Sequence, residues 1–444
     1  MNASARIGAA VSGGPLADGN FRLLTAGQLT STVGDYCYAV ALPWLVLSGG
    51  GGPALLGTVL ACYGVPRVAA LPAGGVLADK LGPRRVMLVA DIARAILAGL
   101  LVLVAARHVT ALAVLAPIAI GLGTGEGLFL PAASSIMPSL LTPDRLAAGN
   151  AINMAALQSG SVLGPVLGGA MVAAGGSVPA FAVDAASFAV SAVTLALLRL
   201  SRATAAAQAS AKHTQTDTVS RPADAAEAAP GLWQFVRRER LLKLLMLVTL
   251  VANFGTAGTL EVATPTLAHA RWGASGYGAL LACIGVGTVA GTLASARAAR
   301  LRRPAVAAAV ALLICAVSIA ALPFLGGLPG AAAAAALLGV GLGFGNTVII
   351  TLAQKWVPAE LLGRVMGLVM MCAIGFFPVT TAVTGVLVHV LGPSPFFVIA
   401  GAGLAAAILG ALSQPVFREF GTSDAEAVPE PAPAVSSSSA APAD

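Results

Sequence analysis

Charge is scarce in this chain of 444 residues, where Asp, Glu, Lys and Arg together make up 10%. Soluble domains carry about a quarter, so this composition cannot cover a surface that faces water. Aromatic residues are thin as well, at 5%, which argues against a broad aromatic drug pocket. The five cysteines (Cys37, Cys62, Cys283, Cys315, Cys372) lie in apolar runs and form no CxxC or Cys/His cluster. Neither zinc nor a disulfide framework is indicated. An HExxH motif, a GxxxxGK[ST] phosphate loop and a nucleophile–His–Asp set are missing too, so no enzyme and no cofactor is expected. Residues 1–20 lack an apolar stretch with a cleavage site, and a cleavable signal peptide is not expected.

What the chain has in abundance is apolar length. Apolar residues make up 57% and the mean hydropathy is +0.89. Crossing about 30 Å of hydrocarbon takes roughly 20 apolar residues. Val86–Ala106, Ala305–Leu325 and Pro395–Leu412 are of that kind. No period-2 alternation runs through them, which points to helices rather than a barrel. The expected fold is all-α integral membrane, with spans at about 25–48, 54–78, 86–106, 111–134, 146–174, 178–198, 241–268, 275–297, 304–325, 330–356, 361–390 and 394–414.

Basic residues suggest an orientation. With both termini cytoplasmic, 21 of the 25 Lys and Arg residues fall on that side. Only Arg107 and Arg271 fall outside, and Arg67 and Arg94 lie within spans. That bias follows the positive-inside rule and accounts for the net charge of +7 without nucleic acid. A multi-pass protein of the plasma membrane, working as a monomer, is the expectation. The domains expected are a cytoplasmic segment (1–20), a six-helix bundle (21–198), a flexible Ala/Ser/Thr/Pro-rich linker (199–236), a second bundle (237–414) and a disordered cytoplasmic tail (415–444).

The two halves echo each other. Gly121-Leu-Gly123-Thr-Gly125-Glu-Gly127 in the fourth span recurs as Gly339-Val-Gly341-Leu-Gly343-Phe-Gly345 in the tenth. Small residues there let helices approach closely, and a parallel repeat of six helices is a transporter plan.

Between spans 2 and 3 stands Gly75-Val-Leu77-Ala-Asp79-Lys80-Leu-Gly82-Pro-Arg84-Arg85. Eight positions of this eleven-residue stretch match the signature loop of the major facilitator superfamily, which it resembles. The resemblance implies a latch between the halves. Gly75 would let a neighbouring helix close in, Gly82 would make a tight turn, and Asp79 would face the start of span 11. Arg84 and Arg85 would hold the cytoplasmic side. The plain alternative is a charged hairpin obeying the charge bias. Span 5 carries Gly160-Ser-Val-Leu-Gly164-Pro165-Val-Leu-Gly168-Gly169, similar to a motif associated in that superfamily with proton-coupled exporters. Its plain alternative is small-residue packing, with Pro165 bending the helix. Further similarity, including Asp184-Ala-Ala-Ser187-Phe188 and Leu362-Gly-Arg364, is to the macrolide-efflux and enterobactin-exporter branch.

Ionisable residues inside spans usually face a cavity or a partner. Asp35 and Arg67, near the midpoints of spans 1 and 2, are expected to pair across the cavity, with Asp35 carrying the coupling proton. A permanent structural ion pair is the alternative. Glu126 is a second candidate for protonation. Asp91 and Arg94, three residues apart, are expected to form a supporting pair. Asp184 and Glu261 are expected in the outer parts of their spans, within reach of exterior water. Gln28, Asn153, Gln158, Asn253 and Glu261 are candidates for lining the cavity, and no metal site is indicated. The resemblance implies export of a drug-, antibiotic- or siderophore-like molecule by proton antiport with alternating access. A proton symporter or facilitator importing a metabolite is the runner-up.

Overall fold

The computed structural model describes residues 14–198, 236–237, 239–298, 301–357 and 359–421. Twelve spans follow one another: α1 (Gly19–Ser48), α2 (Gly52–Leu81), α3 (Pro83–Ala106), α4 (Leu112–Ile136), α5 (Pro143–Gly175) and α6 (Ser177–Leu197) form the first half. The second half comprises α7 (Arg240–Arg271), α8 (Gly273–Ser295), α9 (Pro304–Ala321), α10 (Gly327–Trp356), α11a (Ala359–Ile374) with α11b (Phe377–Leu391), and α12 (Pro393–Ser413). Every span but α1 holds a stretch apolar enough to cross a membrane. At 30 residues, or about 45 Å, α1 has the length but carries more polar residues. No strand occurs among the described residues.

Local chemistry moved several boundaries. Asp18 caps α1, its carboxylate accepting from the amides of Asn20 (2.7 Å) and Phe21 (3.2 Å), so the helix starts at Gly19 rather than 25. The stretch expected as a loop, 75–81, is the last part of α2. Only Gly82, at φ +85°, breaks the chain before Pro83 opens α3, because a left-handed residue followed by a proline at N1 ends one helix and begins another. Two other spans are interrupted. In α7 the turn Thr259–Ala263 is π-helical, with the Thr264 hydroxyl donating to the Thr259 carbonyl (2.8 Å) just before Pro265. Span 11 breaks at Gly375–Phe376 ahead of Pro378. Proline cannot donate to the ladder, and each break lies beside one.

Of the expected linker only Val236 is described. The tail, expected to be free from 415, begins with a helical turn, Pro415–Arg418, and Phe417 and Phe420 are buried. Phe420 meets Trp356 edge-on, with ring centroids 6.2 Å apart, so apolar anchors hold the chain to α10 as far as Gly421. Residues 422–444 lie outside those described.

The repeated glycine runs do equivalent work in each half. Gly123 and Gly127 seat α4 on the backbone of α2 at Tyr63 and Arg67, and Gly125 seats it on Arg94 of α3. Correspondingly, Gly339 and Gly343 seat α10 on α8 at Ile284 and Thr288, and Gly341 and Gly345 seat it on α9.

The halves touch along two helix pairs. A Cβ built on Gly57 of α2 would lie 2.9 Å from the Gly385 Cα of α11b, and one on Gly169 of α5 would lie 3.0 Å from the Gly278 Cα of α8. Trp44 of α1 also stacks on His269 of α7 (centroids 4.8 Å), whose Nε2 is 3.3 Å from the Ser48 hydroxyl. These contacts all cluster toward the end opposite to the basic residues 84, 85, 302 and 303. Toward the basic end, Cβ atoms on Gly75 of α2 and on Gly363 and Gly367 of α11a would meet nothing within 4 Å. The space between the halves therefore opens at the basic end.

Gly57→Val is expected to wedge α2 away from α11b. Overpacking of this kind costs about 1–3 kcal/mol, which shifts a two-state balance roughly 5- to 150-fold. Spin labels placed across the closed end should report longer distances than in the unsubstituted protein, and unchanged distances would show that this contact does not hold the end shut.

Candidate functional site

The glycine run of α4 builds the first charged contact. With Gly127 against the Arg67 backbone, the neighbouring Glu126 reaches Arg67, Oε1 to guanidinium nitrogen at 3.1 Å. Both side chains are about one-fifth exposed. The second oxygen of Glu126 and the Nε of Arg67 have no hydrogen-bond partner. Glu261, on the π turn of α7, is half-buried and attracts Arg67 from the other half.

The second contact lies deeper in the first half. The stem of Arg94 runs past Gly125, where a side chain would collide with it. Its guanidinium donates to Asp35 Oδ1 at 2.7 Å and lies 3.8 Å from Asp91. The ring of Phe188 sits 4.0 Å below the cation and that of Phe129 5.8 Å away, so aromatic faces replace the water it would otherwise keep. Asp91 accepts from the Ser191 hydroxyl of α6 (2.6 Å). Arg94 is 5% exposed, whereas the Asp35 side chain is 43% exposed. One partner is therefore sealed in the bundle and the other is open.

The pairing expected between Asp35 and Arg67 is corrected: Asp35 pairs with Arg94, and Arg67 with Glu126. Depth along a helix suggested the former pair, but azimuth, set by how α3 and α4 pack, decided the partners. The Asp91–Arg94 pair is correspondingly loose, because the guanidinium turns to Asp35. Asp184 does not reach exterior water as expected. It is 1% exposed, on the α6 face packed against α1 and α3. Arg94 is thus a site residue where a supporting one was expected, and its mid-span position was the available signal.

Among the expected lining residues, Gln28 is buried and Asn153 and Gln158 are half-buried. The Asn253 amide donates to Thr249 one turn back in its own helix (2.8 Å). On α5, Gly160 packs on Thr32, Gly164 on Val33 and Tyr36, and Gly168 on Cys37. That face holds α5 on α1 beside Asp35, while Gly169 belongs to the seam between halves, and the helix continues unbroken through Pro165. Among the described residues no group of His, Cys, Asp and Glu is arranged to hold a metal.

A sequence profile of the Major Facilitator Superfamily matches residues 24–373. The chain belongs to the major facilitator superfamily. It is a transport protein and not an enzyme. Multidrug efflux pump Tap of Mycolicibacterium fortuitum is 28% identical over 387 residues, covering 84% of this chain and 90% of that one. Tap of Mycobacterium tuberculosis is 32% identical over 191 residues, 40% of this chain and 44% of its own length. Among solved structures, the nucleoside transporter NupG superposes with a TM-score of 0.69 at 13% identity, covering 89% of this chain and 98% of that one. A peptide transporter POT in complex with sulfate gives 0.68 at 16%, covering 91% and 96%. These likenesses establish the major facilitator fold.

In this superfamily member Arg84 of the signature stretch is bound within its own half. Arg84 donates from Nε to the Leu195 carbonyl (2.7 Å) and from a terminal nitrogen to that of Ala196 (2.6 Å), a cation on the negative end of α6. Arg85 and Asp79 are exposed, and Gly75 faces open space.

Removing Arg94 leaves Asp91, which is fully buried, without its neighbouring cation, and an unmatched buried charge costs about 3–5 kcal/mol. Arg94→Met is therefore expected to lower the unfolding temperature in detergent markedly. Arg67→Met leaves Glu126, whose side chain is 17% exposed, and should lose less. Equal losses would contradict the difference in burial.

Proposed function

We propose that the protein exports a small drug-, antibiotic- or siderophore-like molecule, neutral or cationic, in exchange for protons. The observation that carries this reading is the half-open Asp35 carboxylate, which sits on a sealed cation and in this reading faces the space between the halves. Likeness to multidrug efflux pumps over most of the chain supports the direction of transport. So does the helix 5 stretch Gly160, Gly164, Pro165, Gly168 and Gly169, which resembles an exporter motif and packs beside Asp35.

The exchange follows from competition. Asp35, Glu126 and Glu261 offer negative charge to the cavity, opposed there by Arg67. A proton or a cationic cargo neutralises the same groups, so occupancy by one weakens the other by the same factor. A proton on Asp35 also frees the Arg94 guanidinium, altering contacts among α1, α3 and α6. By the positive-inside rule the open basic end faces the cytoplasm, with both termini on that side, and cargo enters there. Rocking the halves opens the other end to the exterior. The stretch Gly75, Asp79, Gly82, Arg84 and Arg85 then latches the basic end, with α11a closing on the bare surface at Gly75. The chain works as a monomer in the plasma membrane.

Proteoliposomes with an imposed pH gradient and a panel of aminated and hydrophobic drugs test this. Cargo and protons, the latter followed with a trapped pH dye, should move in opposite directions. Movement in the same direction would establish import by symport instead. Asp35→Asn is expected to abolish uphill accumulation of cargo, and retained proton-driven transport in that variant would remove Asp35 from the coupling.

A further inference from the structure

The buried seam of α1, α3 and α6 holds three carboxylates, Asp35, Asp91 and Asp184, and one guanidinium, Arg94. Arg94 donates to Asp35 at 2.7 Å, and Asp91 has the Ser191 hydroxyl on one oxygen at 2.6 Å and Arg94 3.8 Å from the other, which has no hydrogen-bond partner but does have a cation beside it. Asp184 is left over. It is 1% exposed, and its Oδ1 has no hydrogen-bond partner. This oxygen points at the α1 backbone, 3.0 Å from where a Cβ on Gly34 would stand, one residue from Asp35. The neighbouring Ser187 hydroxyl donates to the Asp184 carbonyl (2.7 Å) rather than to the carboxyl group.

An unpartnered anion in such surroundings neutralises itself by taking a proton. The charged and titratable groups that face it are few. From α1 come Asp35, Cys37 and Tyr38, and from α3 Asp91 and Arg94. The ionisable groups of α5, Asp144 and Arg145, stand at its far start. Arg94 is the sole cation within reach, and its guanidinium rests on Phe188, one turn along α6 from Asp184.

We propose that Asp184 is a proton-carrying carboxyl group that exchanges roles with Asp35 around Arg94. In the conformation open at the basic end, Asp35 is the anion paired with Arg94 and Asp184 is the neutral acid. In the opposite conformation Asp35 carries the proton and Arg94 turns to the Asp184 anion. The O–H bond of Asp184 breaks as that of Asp35 forms, so this internal transfer by itself leaves the net charge of the seam unchanged. The cavity-facing Asp35 alone exchanges with water, and net proton carriage comes from its uptake and release of a proton on the side then open. The inference rests on the proton-antiport reading for its purpose, but not for the presence of the proton.

Infrared difference spectroscopy tests the assignment directly. Asp184→Asn keeps the shape of the neutral acid and should remove a protonated-carboxyl band present at neutral pH, while Asp35→Asn keeps that band. The same variant should bind drug cargo in detergent as the unsubstituted protein does, yet lose pH-driven accumulation in proteoliposomes. A band and a driven transport both untouched by Asp184→Asn would overturn the proposal. Loss of the band in a protein whose unsubstituted form moves no protons against cargo would support the proton site and reject antiport. Should Asp184→Asn fail to fold, survival of the band in Asp35→Asn, Asp91→Asn, Glu126→Gln and Glu261→Gln supports the assignment, and its disappearance in any of them overturns it.

Discussion

Close approach of helix backbones at glycine is the constraint on which the rest of this structure depends. Lipid gives no hydrophobic drive for one apolar helix to find another, so contact area and shape decide association. Gly123 and Gly127 bring α4 down onto the backbone of α2, and only at that distance does Glu126 meet Arg67. Gly125 leaves a channel for the stem of Arg94, and only along it does the guanidinium arrive at Asp35. The second half repeats the arrangement with Gly339, Gly341, Gly343 and Gly345, but without the charges.

The same device joins the halves, with a different consequence. At Gly57 with Gly385 and at Gly169 with Gly278, backbone lies on backbone and no side chain interlocks. Such a seam is tight when closed, and its parting requires the side chains that do meet across it, Trp44 on His269 and Phe377 against Gly64, to separate. Within each half the contacts involve interdigitated Leu, Phe and Ile side chains, including the buried Phe181 and Phe188. A pair of stiff bodies meeting along smooth seams is the mechanical requirement for exposing a central space to one side and then the other.

Charge is confined by the same packing. Each ionisable residue in a span carries a penalty of about 2.5–3.5 kcal/mol at the bilayer centre, and apart from Asp184 those of the first half are matched or wet. Arg67 and Glu126 are matched and partly wet, whereas Arg94 is matched, stacked and dry. Between them stands Asp35, which belongs to the dry cluster by its bond although its side chain is 43% exposed.

Much of the architecture was legible in the sequence, because apolar run length, the density of basic residues and the repeated GxGxG runs each report a one-dimensional constraint set by the bilayer. The spans, the two halves and the family follow from them, as does the presence of charge at mid-span in Asp35, Arg67, Arg94, Glu126 and Asp184. Partnership did not follow, since it depends on the rotation of each helix about its axis, and glycine contacts dozens of residues away set that rotation. Asp35 and Arg67 share a depth and not a bond, while Asp184, placed near the exterior by its position along α6, is buried against α1. A sequence states how far along a helix a charge lies, but which way it faces is settled only when neighbouring helices have packed.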